Sequence, residues 1–390
     1  MAAAPIRNLK FLALVALVIV FILELGVLMA GFQHSLDGHG DFSAFYRTGE
    51  MVRAGEFHRL YDPQNQLAFD QKMFPGLNRF PPYYFYHPPF EALLLAPLAF
   101  LSYRAAFWIW TIGSLALLWI SGKILSREFP ELQRTVKIPL TFLLFAFFPV
   151  VMIFLQGQDS ALLLLLVICA FAELKGGRKW SVGVLLGLGL FKFQFILPLA
   201  VLLTWRLGQK FVVAFSATAA ALFALSWLLV GTAGLTSYGQ MLADGTPEMV
   251  WRMPNVRGMI KGVGGPELLA IVLAAILVIW CAWKISQMES GGFALAVVCA
   301  LLVSHHGHVY DCILLIIPIL YVLEKAIAQN ESRLNYWPLS FFVMLPVYVL
   351  LTRLHATWIF GVMFLMLAFT IVWPVAKPIT VQGRAGEALS

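Results

Sequence analysis

An acidic side chain follows the first hydrophobic segment of the chain, at a position where it could act as a general base. Asp41 stands in a Gly-Asp-Phe-Ser run near the start of a polar insert over residues 34–87. A carboxylate beside apolar residues at a membrane rim can have a raised pKa and accept a proton from a substrate. Asp is also favoured at helix N-termini. The local sequence therefore leaves two roles open, a catalytic base and a helix cap.

A single lysine interrupts a second apolar region. Lys192 separates the runs 180–191 and 193–205. An isolated cation between apolar runs indicates an anionic partner, and a lipid phosphate is the natural one in a membrane. The alternative is a lysine that extends its ammonium to the membrane interface. We favour the first alternative, in which Lys192 binds a lipid phosphate.

Three histidines and an aspartate form the densest ionisable cluster within an apolar region: His305, His306, His308 and Asp311. Such a set can bind zinc, but it shows no clear second shell of supporting groups. We therefore favour hydrogen bonds to a phosphate or sugar over a metal site. A purely structural cluster is the third alternative.

The composition sets the fold class. The chain has 390 residues, of which 61% are hydrophobic and 12% charged, and its mean hydropathy is +0.83. Soluble domains are only about 45–50% apolar. We expect an all-α polytopic membrane protein with about 10–13 transmembrane or re-entrant helices, several of them shorter than the roughly 20 residues that a full span needs. A single membrane domain would cover residues 1–376, and a cytoplasmic tail would cover 377–390.

The basic residues indicate a topology, not a nucleic-acid partner. Arg7 and Lys10 precede the first apolar run, which we expect to be a retained helix, and by the positive-inside rule they place the N-terminus in the cytoplasm. The insert 34–87 is then extracytoplasmic. Four basic loops should be inside, at residues 123–137, 175–179, 206–210 and 325–333. This topology requires that segment 88–101 does not cross fully and that residues 180–205 form a hairpin at Lys192.

The same topology brings further polar residues to the outer face. Gln158 precedes an apolar helix that Asp159 is expected to cap, and we expect Gln158 to face the site. Arg252 and Arg257 lie on the outer loop 233–265, against the charge bias, so they are candidates for binding an anionic ligand or the rim of a site.

The insert itself predicts two short helices and an aromatic wall. Apolar residues at helical spacing indicate an amphipathic helix over 42–55 that lies along the membrane surface. A turn at Tyr61-Asp62-Pro63 should start a second helix over 64–72. The aromatic, proline-rich stretch 80–86 suits a groove wall at the lipid headgroups.

Taken in order, these motifs resemble glycosyltransferase family 87, the polyprenol-phosphate-mannose-dependent mannosyltransferases of the GT-C superfamily. The resemblance covers roughly residues 38–315. It rests on the following motifs: Asp41-Phe42 with Tyr46 and Gly55, Leu60-Tyr61-Asp62, Tyr86-His87-Pro88-Pro89-Phe90, Gly157-Gln158, Lys192, and Ser304-His305-His306 through Asp311.

The resemblance implies an inverting transfer of mannose or a similar sugar from a polyprenyl phosphate to a glycan or glycolipid acceptor. Asp41 would be the base, and the phosphate or sugar of the donor would meet Lys192, His305, His306, His308, Asp311 and Gln158. The acceptor or rim would include Tyr46, Tyr61, Tyr86, His87, Arg252 and Arg257. No metal or other cofactor is implied, and the site would face away from the cytoplasm of a bacterial inner membrane.

Two other classes stay open. A transporter or flippase of an amphiphilic anion also uses short, interrupted helices with buried charges, although the sequence shows no internal repeat. A noncatalytic assembly subunit is the third possibility.

Overall fold

The computed structural model describes residues 3–77, 83–137, 139–244, 250–329 and 333–373, and every regular element in these ranges is a helix. The all-α prediction is confirmed. The predicted tail 377–390 and part of the aromatic stretch 80–86 lie outside the described residues.

The α-helices follow one another along the whole described chain. They are α1 Ala3–Leu36, α2 Phe42–Arg53, α3 Pro63–Met73, α4 Ala92–Leu95, α5 Tyr103–Glu128, α6 Pro130–Val136, α7 Leu140–Phe145, α8 Pro149–Gln156, α9 Ser160–Lys175, α10 Lys179–Leu188, α11 Phe193–Leu207, α12 Gln209–Asp244, α13 Val256–Gly262, α14 Glu267–Gln287, α15 Gly292–Val303, α16 Ile316–Ala328, α17 Leu345–Arg353 and α18 Phe360–Val372. Short 3-10 helices join several of them, at Phe57–Arg59, Pro89–Glu91, Ala96–Phe100, Gly189–Lys192, Val250–Arg252, Asp311–Leu315, Arg333–Val343 and Thr357–Ile359.

Several of these helical stretches are long and apolar enough to cross a membrane. Within the described residues there are five, and a sixth arises if the bent pair Asn335–Val343 and Leu345–Arg353 forms one span. By length and composition alone, the five are Val15–Leu36, Tyr103–Glu128, Lys179–Leu207, Gln209–Asp244 and Glu267–Gln287. Lys179–Leu207 is not one straight helix, because it folds back on itself at Lys192. The apolar length of these stretches and the many shorter apolar helices packed beside them make the chain an integral membrane protein.

The predicted hairpin at Lys192 is confirmed. Gly183 of α10 lies so close to α12 that an added Cβ would be 2.6 Å from the carbonyl oxygen of Phe211. A continuous helix from Gly183 to Phe211 would instead separate them by about 42 Å, at ~1.5 Å per residue. The chain therefore reverses at the 3-10 helix Gly189–Lys192, and α11 runs back beside α10.

Segment 88–101 does not cross the bundle, as predicted. The hydroxyl of Tyr103, at the start of α5, donates to the carbonyl of Ser35 at 2.9 Å. Arg104 forms an ion pair with Asp37 at 2.7 Å. The start of α5 therefore lies beside the end of α1, and all the residues between them return to this same end of the bundle. We call it the site end.

The two predicted helices of the insert are present as α2 and α3. Asp62 caps α3 by accepting hydrogen bonds from the backbone N–H groups of Gln64 and Asn65, at 2.9 and 3.3 Å. The N-terminal turn of α3 is therefore set by the Asp-Pro pair that the sequence indicated.

The expectation that the first of these helices lies on the membrane surface is wrong. Ten of the twelve residues of α2 are buried within the protein. The reason is Arg47, whose guanidinium is fully buried and donates to Asp70 at 3.0 Å and to Gln66 at 2.8 Å. Because α3 supplies these partners, the polar face of α2 is covered by protein.

The basic loops gather at the opposite end of the bundle. Lys175 forms an ion pair with Glu128 at 2.9 Å. Arg206 donates to the carbonyl of Met288 at 2.6 Å, and Phe171 near the end of α9 contacts Phe293 at the start of α15. The loops at 123–137, 175–179 and 206–210 therefore share one end, away from Asp41 and Lys192.

Candidate active site

Two glycines bring the start of α2 against the turn before α9. An added Cβ on Gly40 would lie 3.1 Å from the carbonyl oxygen of Leu155. Gly157 has a φ of +64°, and an added Cβ there would lie 2.5 Å from the Cβ of Phe42. Only glycine combines this backbone conformation with such an approach. Asp41 and Gln158, each next to one of these contacts, are thereby placed opposite each other.

The side chain of Asp41 faces this turn. Asp41 occupies the N-cap position of α2, but its carboxylate makes no capping hydrogen bond. Instead, Gln158 Nε2 donates to Asp41 Oδ2 at 2.5 Å, and the hydroxyl of Tyr310 also hydrogen-bonds to the carboxyl group. The helix-cap alternative is therefore wrong for the side chain.

The surroundings of Asp41 change its acidity. Burial raises the pKa of Asp41 above its ordinary value, and the hydrogen bonds from Gln158 and Tyr310 offset this only in part, together with the charges of Lys192 and His306. A carboxylate with a raised pKa is a stronger base than an exposed one. Asp41 as a whole residue is partly exposed at the site end.

Lys192 lies directly behind this pair and is buried, with 2% of its side chain exposed. Its ammonium contacts Asp311 Oδ1 at 2.7 Å and Asp159 Oδ1 at 3.0 Å. It also donates to Gln158 Oε1 at 3.1 Å and to Ser160 Oγ at 3.0 Å. The lysine is therefore held by four oxygen atoms that come from two segments far apart in the sequence.

These contacts bear on the predicted role of Lys192. Two carboxylates already neutralise its charge, and such a buried ion cluster is stable only while its partners stay paired. To bind a phosphate directly, the ammonium would have to leave Asp159 or Asp311. Snorkelling to the interface is wrong, because the side chain ends inside the protein. Direct phosphate binding stays a prediction.

A second set of ionisable groups adjoins Asp159. His87 Nδ1 lies 2.6 Å from Glu91 Oε2 and 3.4 Å from Asp159 Oδ2. Asp159 occupies the N-cap position of α9, yet its side chain makes no capping hydrogen bond. Its carboxylate instead bridges His87 and Lys192, so the expected capping role does not describe it.

The acidities of this set depend on one another. Burial raises the pKa of Glu91 to about 7, although the charge of His87 opposes this. Burial alone would lower the pKa of His87, but the carboxylates of Glu91 and Asp159 raise it overall. In the described part of the chain, these three side chains form the one group whose possible metal-ligating atoms converge. Because the Lys192 ammonium lies 3.0 Å from Asp159, the arrangement fits an ion-pair cluster better than a metal site.

The histidine segment supports this cluster from the other side. The backbone N–H of His308 donates to Asp311 Oδ2 at 3.0 Å, while Lys192 holds the other oxygen of Asp311. The rings of His306 and His308 meet edge to face, with centroids 4.7 Å apart. His305 is exposed. Among the residues that the structure describes, these histidines do not converge with Asp311 as a metal-ligand group.

A small apolar cavity lies on the reverse side of the same segment. Val309 and Cys312 line this cavity. The two residues that separate them in the sequence point the other way: Tyr310 contacts Asp41, and Asp311 contacts Lys192. Most of the other lining residues are aromatic or aliphatic: Phe147, Phe148, Pro149, Pro254, Leu315, Phe341, Met344, Tyr348, Thr357, Phe360 and Phe364. The one charged lining residue is Arg252, and no carboxylate of a described residue lies within ion-pair distance of it.

The remaining predicted site residues make contacts within the protein. The hydroxyl of Tyr46 donates to the carbonyl of Leu101 at 2.6 Å, and that of Tyr61 to the carbonyl of His87 at 2.7 Å. The carbonyl of Tyr86 accepts from Tyr238 at 3.2 Å. These bonds fix the frame around His87, and a role in acceptor binding stays a prediction.

Arg257 is engaged in a similar way. Its guanidinium forms an ion pair with Glu267 at 2.7 Å and donates to the carbonyl of His305 at 3.2 Å. Its predicted role in binding a ligand also stays a prediction.

Sequence reasoning missed four residues of the cluster. The sequence predicts only a capping role for Asp159 and no role for Glu91, Ser160 or Tyr310. Each of the four lies within one helical turn of a residue that the sequence does predict for the site. Glu91, for example, is four residues after His87. The signal was present, but their partners are distant in the sequence.

The fold and site define a polytopic, all-helical membrane protein with a partly exposed aspartate at one end of its bundle and a buried, neutralised lysine behind it. A family model described as Glycosyltransferase family 87 matches residues 85–306, more than half of the chain, and the chain belongs to this family. The matched range includes Gln158, Lys192, His305 and His306, whereas Asp41 and Asp311 lie outside it. The resemblance seen in the sequence is thus confirmed.

A curated relative agrees with this assignment. The chain is 27% identical over 311 residues to a polyprenol-phosphate-mannose-dependent alpha-(1-2)-phosphatidylinositol pentamannoside mannosyltransferase of Mycolicibacterium smegmatis. The match covers 75% of this chain and 71% of the relative. No solved structure matches the chain.

Proposed function

We propose that this protein is an inverting glycosyltransferase that moves a sugar from a polyprenyl-phosphate donor to a hydroxyl group of a glycan or glycolipid. The observation that carries the proposal is the position of Asp41. Its carboxylate has a raised pKa and is held by Gln158 and Tyr310, and the residue as a whole is partly exposed. This is the arrangement that a general base needs.

The reaction balances with the residues of the site. Asp41 accepts the proton of the acceptor hydroxyl as its oxygen attacks the anomeric carbon of the donor sugar. The bond from that carbon to the phosphate oxygen breaks on the opposite face, which inverts the configuration. The products are the glycosylated acceptor and polyprenyl phosphate, and the bonding electrons leave with the phosphate.

The leaving phosphate needs hydrogen-bond donors or cations. His306 and His308 lie beside Asp41 and Asp311 and can donate to it, as can the exposed His305. Lys192 lies behind Gln158 with its charge neutralised by Asp159 and Asp311, so it would stabilise the phosphate only by exchanging a carboxylate partner. Metal is not part of this proposal, because a lipid phosphate leaves as an anion that these donors can stabilise.

The apolar cavity supports a lipid-linked donor. Aromatic and aliphatic walls suit an isoprenoid chain, and Arg252 at the same cavity suits the phosphate that ends it. The relative's name specifies polyprenol-phosphate-mannose, so mannose is the first sugar to test.

The distribution of charge supports an outer-face site. The basic loops lie at the end of the bundle opposite Asp41, and positively charged loops favour the cytoplasmic side. We infer that the site end faces the periplasm or cell exterior of a bacterial inner membrane, where the lipid bilayer presents both the donor and a lipid-linked acceptor.

The test is sugar transfer by purified protein in detergent or liposomes, with radiolabelled polyprenyl-phosphate mannose. We expect labelled sugar to appear on a glycolipid acceptor and free polyprenyl phosphate to accumulate, and Asp41→Asn to abolish both while retaining the wild-type unfolding temperature. Transport of intact donor across the bilayer without release of polyprenyl phosphate would support the flippase alternative instead. Unchanged transfer by Asp41→Asn would remove Asp41 as the base.

A further inference from the structure

We propose that Gln158 is a positioning residue, which links Lys192 to Asp41 and holds the Asp41 carboxylate in one orientation for proton transfer. This assignment rests on the proposed function. It differs from the expectation that Gln158 binds the phosphate or sugar of the donor.

The orientation of the Gln158 amide follows from its two neighbours. An ammonium group can only donate hydrogen bonds, so Lys192 must face the amide oxygen. The contact from Lys192 Nζ to Gln158 Oε1 is 3.1 Å. The amide nitrogen must then point the other way, where it donates to Asp41 Oδ2 at 2.5 Å. If the amide were flipped, its NH₂ group would face the Lys192 ammonium and its oxygen would face the Asp41 carboxylate. Neither contact could then be a hydrogen bond.

The backbone of Gln158 and its neighbour Lys192 are also fixed by contacts within the protein. Gln158 is 4% exposed, and its backbone N–H donates to the carbonyl of Ile153 at 3.0 Å. Lys192 itself is fixed by Asp159 and Asp311. Both polar atoms of the Gln158 side chain are therefore engaged within the protein, and the chain Asp311–Lys192–Gln158–Asp41 transmits a fixed geometry to the carboxylate.

The charged and titratable groups around Asp41 come from three segments. Lys192 lies on the hairpin turn, and His306 and Tyr310 lie on the segment after α15. Asp159 and Asp311 lie on the far side of Lys192 and cancel much of its charge. Gln158 is the side chain that donates to Asp41 from the α8–α9 turn, so removal of its N–H should favour the protonated form of Asp41.

Two variants separate positioning from other roles. Gln158→Leu removes both hydrogen bonds without adding charge. Gln158→Glu keeps the shape and the oxygen that faces Lys192, but replaces the donor to Asp41 with a carboxyl oxygen. With polyprenyl-phosphate mannose as donor, we expect kcat to fall about 10–100-fold in both, as part of the ~10²–10⁴ that general-base catalysis supplies, and the KM for donor to change less than threefold.

The pH dependence gives a readout that a purely structural role would not change. The acid limb of the kcat profile should move to higher pH in both variants, and further in Gln158→Glu. A KM increase of tenfold or more with an unchanged acid limb would mean that Gln158 binds the donor. If activity falls only in proportion to a lowered unfolding temperature, and the acid limb of the kcat profile is again unchanged, Gln158 supports the fold instead. Either result overturns the proposal.

A measurement without turnover keeps this inference separate from the proposed function. Infrared titration of protein with ¹³C-labelled aspartate, minus the same titration of Asp41→Asn, isolates the Asp41 carboxyl band. We expect its midpoint at higher pH in both Gln158 variants than in wild type, and equal midpoints overturn the inference. If wild type transfers no sugar, the proposed function fails, while this titration still decides whether Gln158 controls Asp41.

Discussion

Gly157 lies so close to Phe42 that a Cβ on the glycine would be 2.5 Å from the Cβ of the phenylalanine. The two residues are 115 positions apart in the sequence and belong to the α8–α9 turn and the start of α2. Their contact fixes the distance between two adjacent residues, Gln158 after Gly157 and Asp41 before Phe42. The geometry of the carboxylate is therefore set by a backbone contact as much as by its own hydrogen bonds.

Replacing Gly157 with alanine should disrupt this contact. The new Cβ would meet Phe42, and alanine would also have to adopt a φ of +64°. The backbone strain alone costs about 1–3 kcal/mol. We expect sugar transfer to fall at least 100-fold, measured as kcat/KM, because Asp41 and Gln158 would separate.

Gly55→Ala is the matched control for this change. Gly55 also has a positive φ, of +81°, but no atom lies within 4 Å of its added Cβ. Gly55→Ala should lower the unfolding temperature through backbone strain. If the loss of activity in Gly157→Ala comes from the contact with Phe42, Gly55→Ala should leave kcat/KM within about threefold of wild type. Similar losses of activity in both variants would show that the Gly157 contact has no special role.

Lys192 should be essential to stability as well as activity. Lys192→Met keeps much of the side-chain volume but leaves Asp159 and Asp311 buried without their cation. Breaking a buried ion pair by removing one partner costs about 3–5 kcal/mol. We expect a large drop in unfolding temperature in detergent, measured by intrinsic fluorescence.

The double variant Lys192→Met with Asp311→Asn provides the control. Removing one of the two orphaned carboxylates should recover part of the lost unfolding temperature, so the two changes should not be additive. If the losses simply add, Lys192 and Asp311 do not stabilise each other, and Lys192 is free for a ligand.

The sequence predicted the elements of this site better than their contacts. The hairpin at Lys192 followed from a single cation between two apolar runs together with the charges of the flanking loops. The non-crossing segment 88–101 followed from the same charge count. Both predictions depended on the cost of placing charge in a membrane, which a sequence displays directly.

The partners of the buried charges could not be read in this way. Lys192 pairs with residues 33 and 119 positions away, and no periodic pattern connects them. The polar face of α2 looked like a surface that meets water and lipid headgroups, but Arg47 finds its acceptors on α3. A hydrophobic pattern shows which face is polar, whereas only the tertiary fold shows whether protein covers it.

The pair of His87 and Glu91 should make stability depend on pH. The pKa of Glu91 is about 7 in the folded protein, above the ~4.3 of an exposed glutamate. A raised folded pKa means that its contribution to stability is present at low pH and is lost as pH rises through about 7. Glu91→Gln cannot ionise and should not show this loss.

Unfolding temperatures of wild type and Glu91→Gln, measured from pH 5 to pH 9, test this expectation. Wild type should lose stability relative to the variant as the pH rises from about 5 to about 7, and the difference should level off above about pH 8, because the pKa is ~4.3 in the unfolded chain and about 7 in the folded protein. Glu50→Gln, which removes an ion pair with Arg53, serves as a control for a glutamate outside the His87 cluster. A difference between wild type and Glu91→Gln that stays constant across this range would contradict the raised pKa.

Arg252 should matter for binding of the donor and not for the fold. It is exposed, no described carboxylate pairs with it, and it adjoins the apolar cavity. A hydrogen bond to a charged group contributes about 1.5–3 kcal/mol, so Arg252→Gln should raise the KM for polyprenyl-phosphate sugar about 10-fold or more, with a smaller change in kcat.

Arg257 lies on the same loop but is paired with Glu267, so Arg257→Gln should lower the unfolding temperature and leave that KM nearly unchanged. Because an exposed charge is screened by salt, the difference in KM between wild type and Arg252→Gln should shrink at high ionic strength. Equal KM values for the two variants, or a salt-independent difference, would place the donor phosphate away from this cavity.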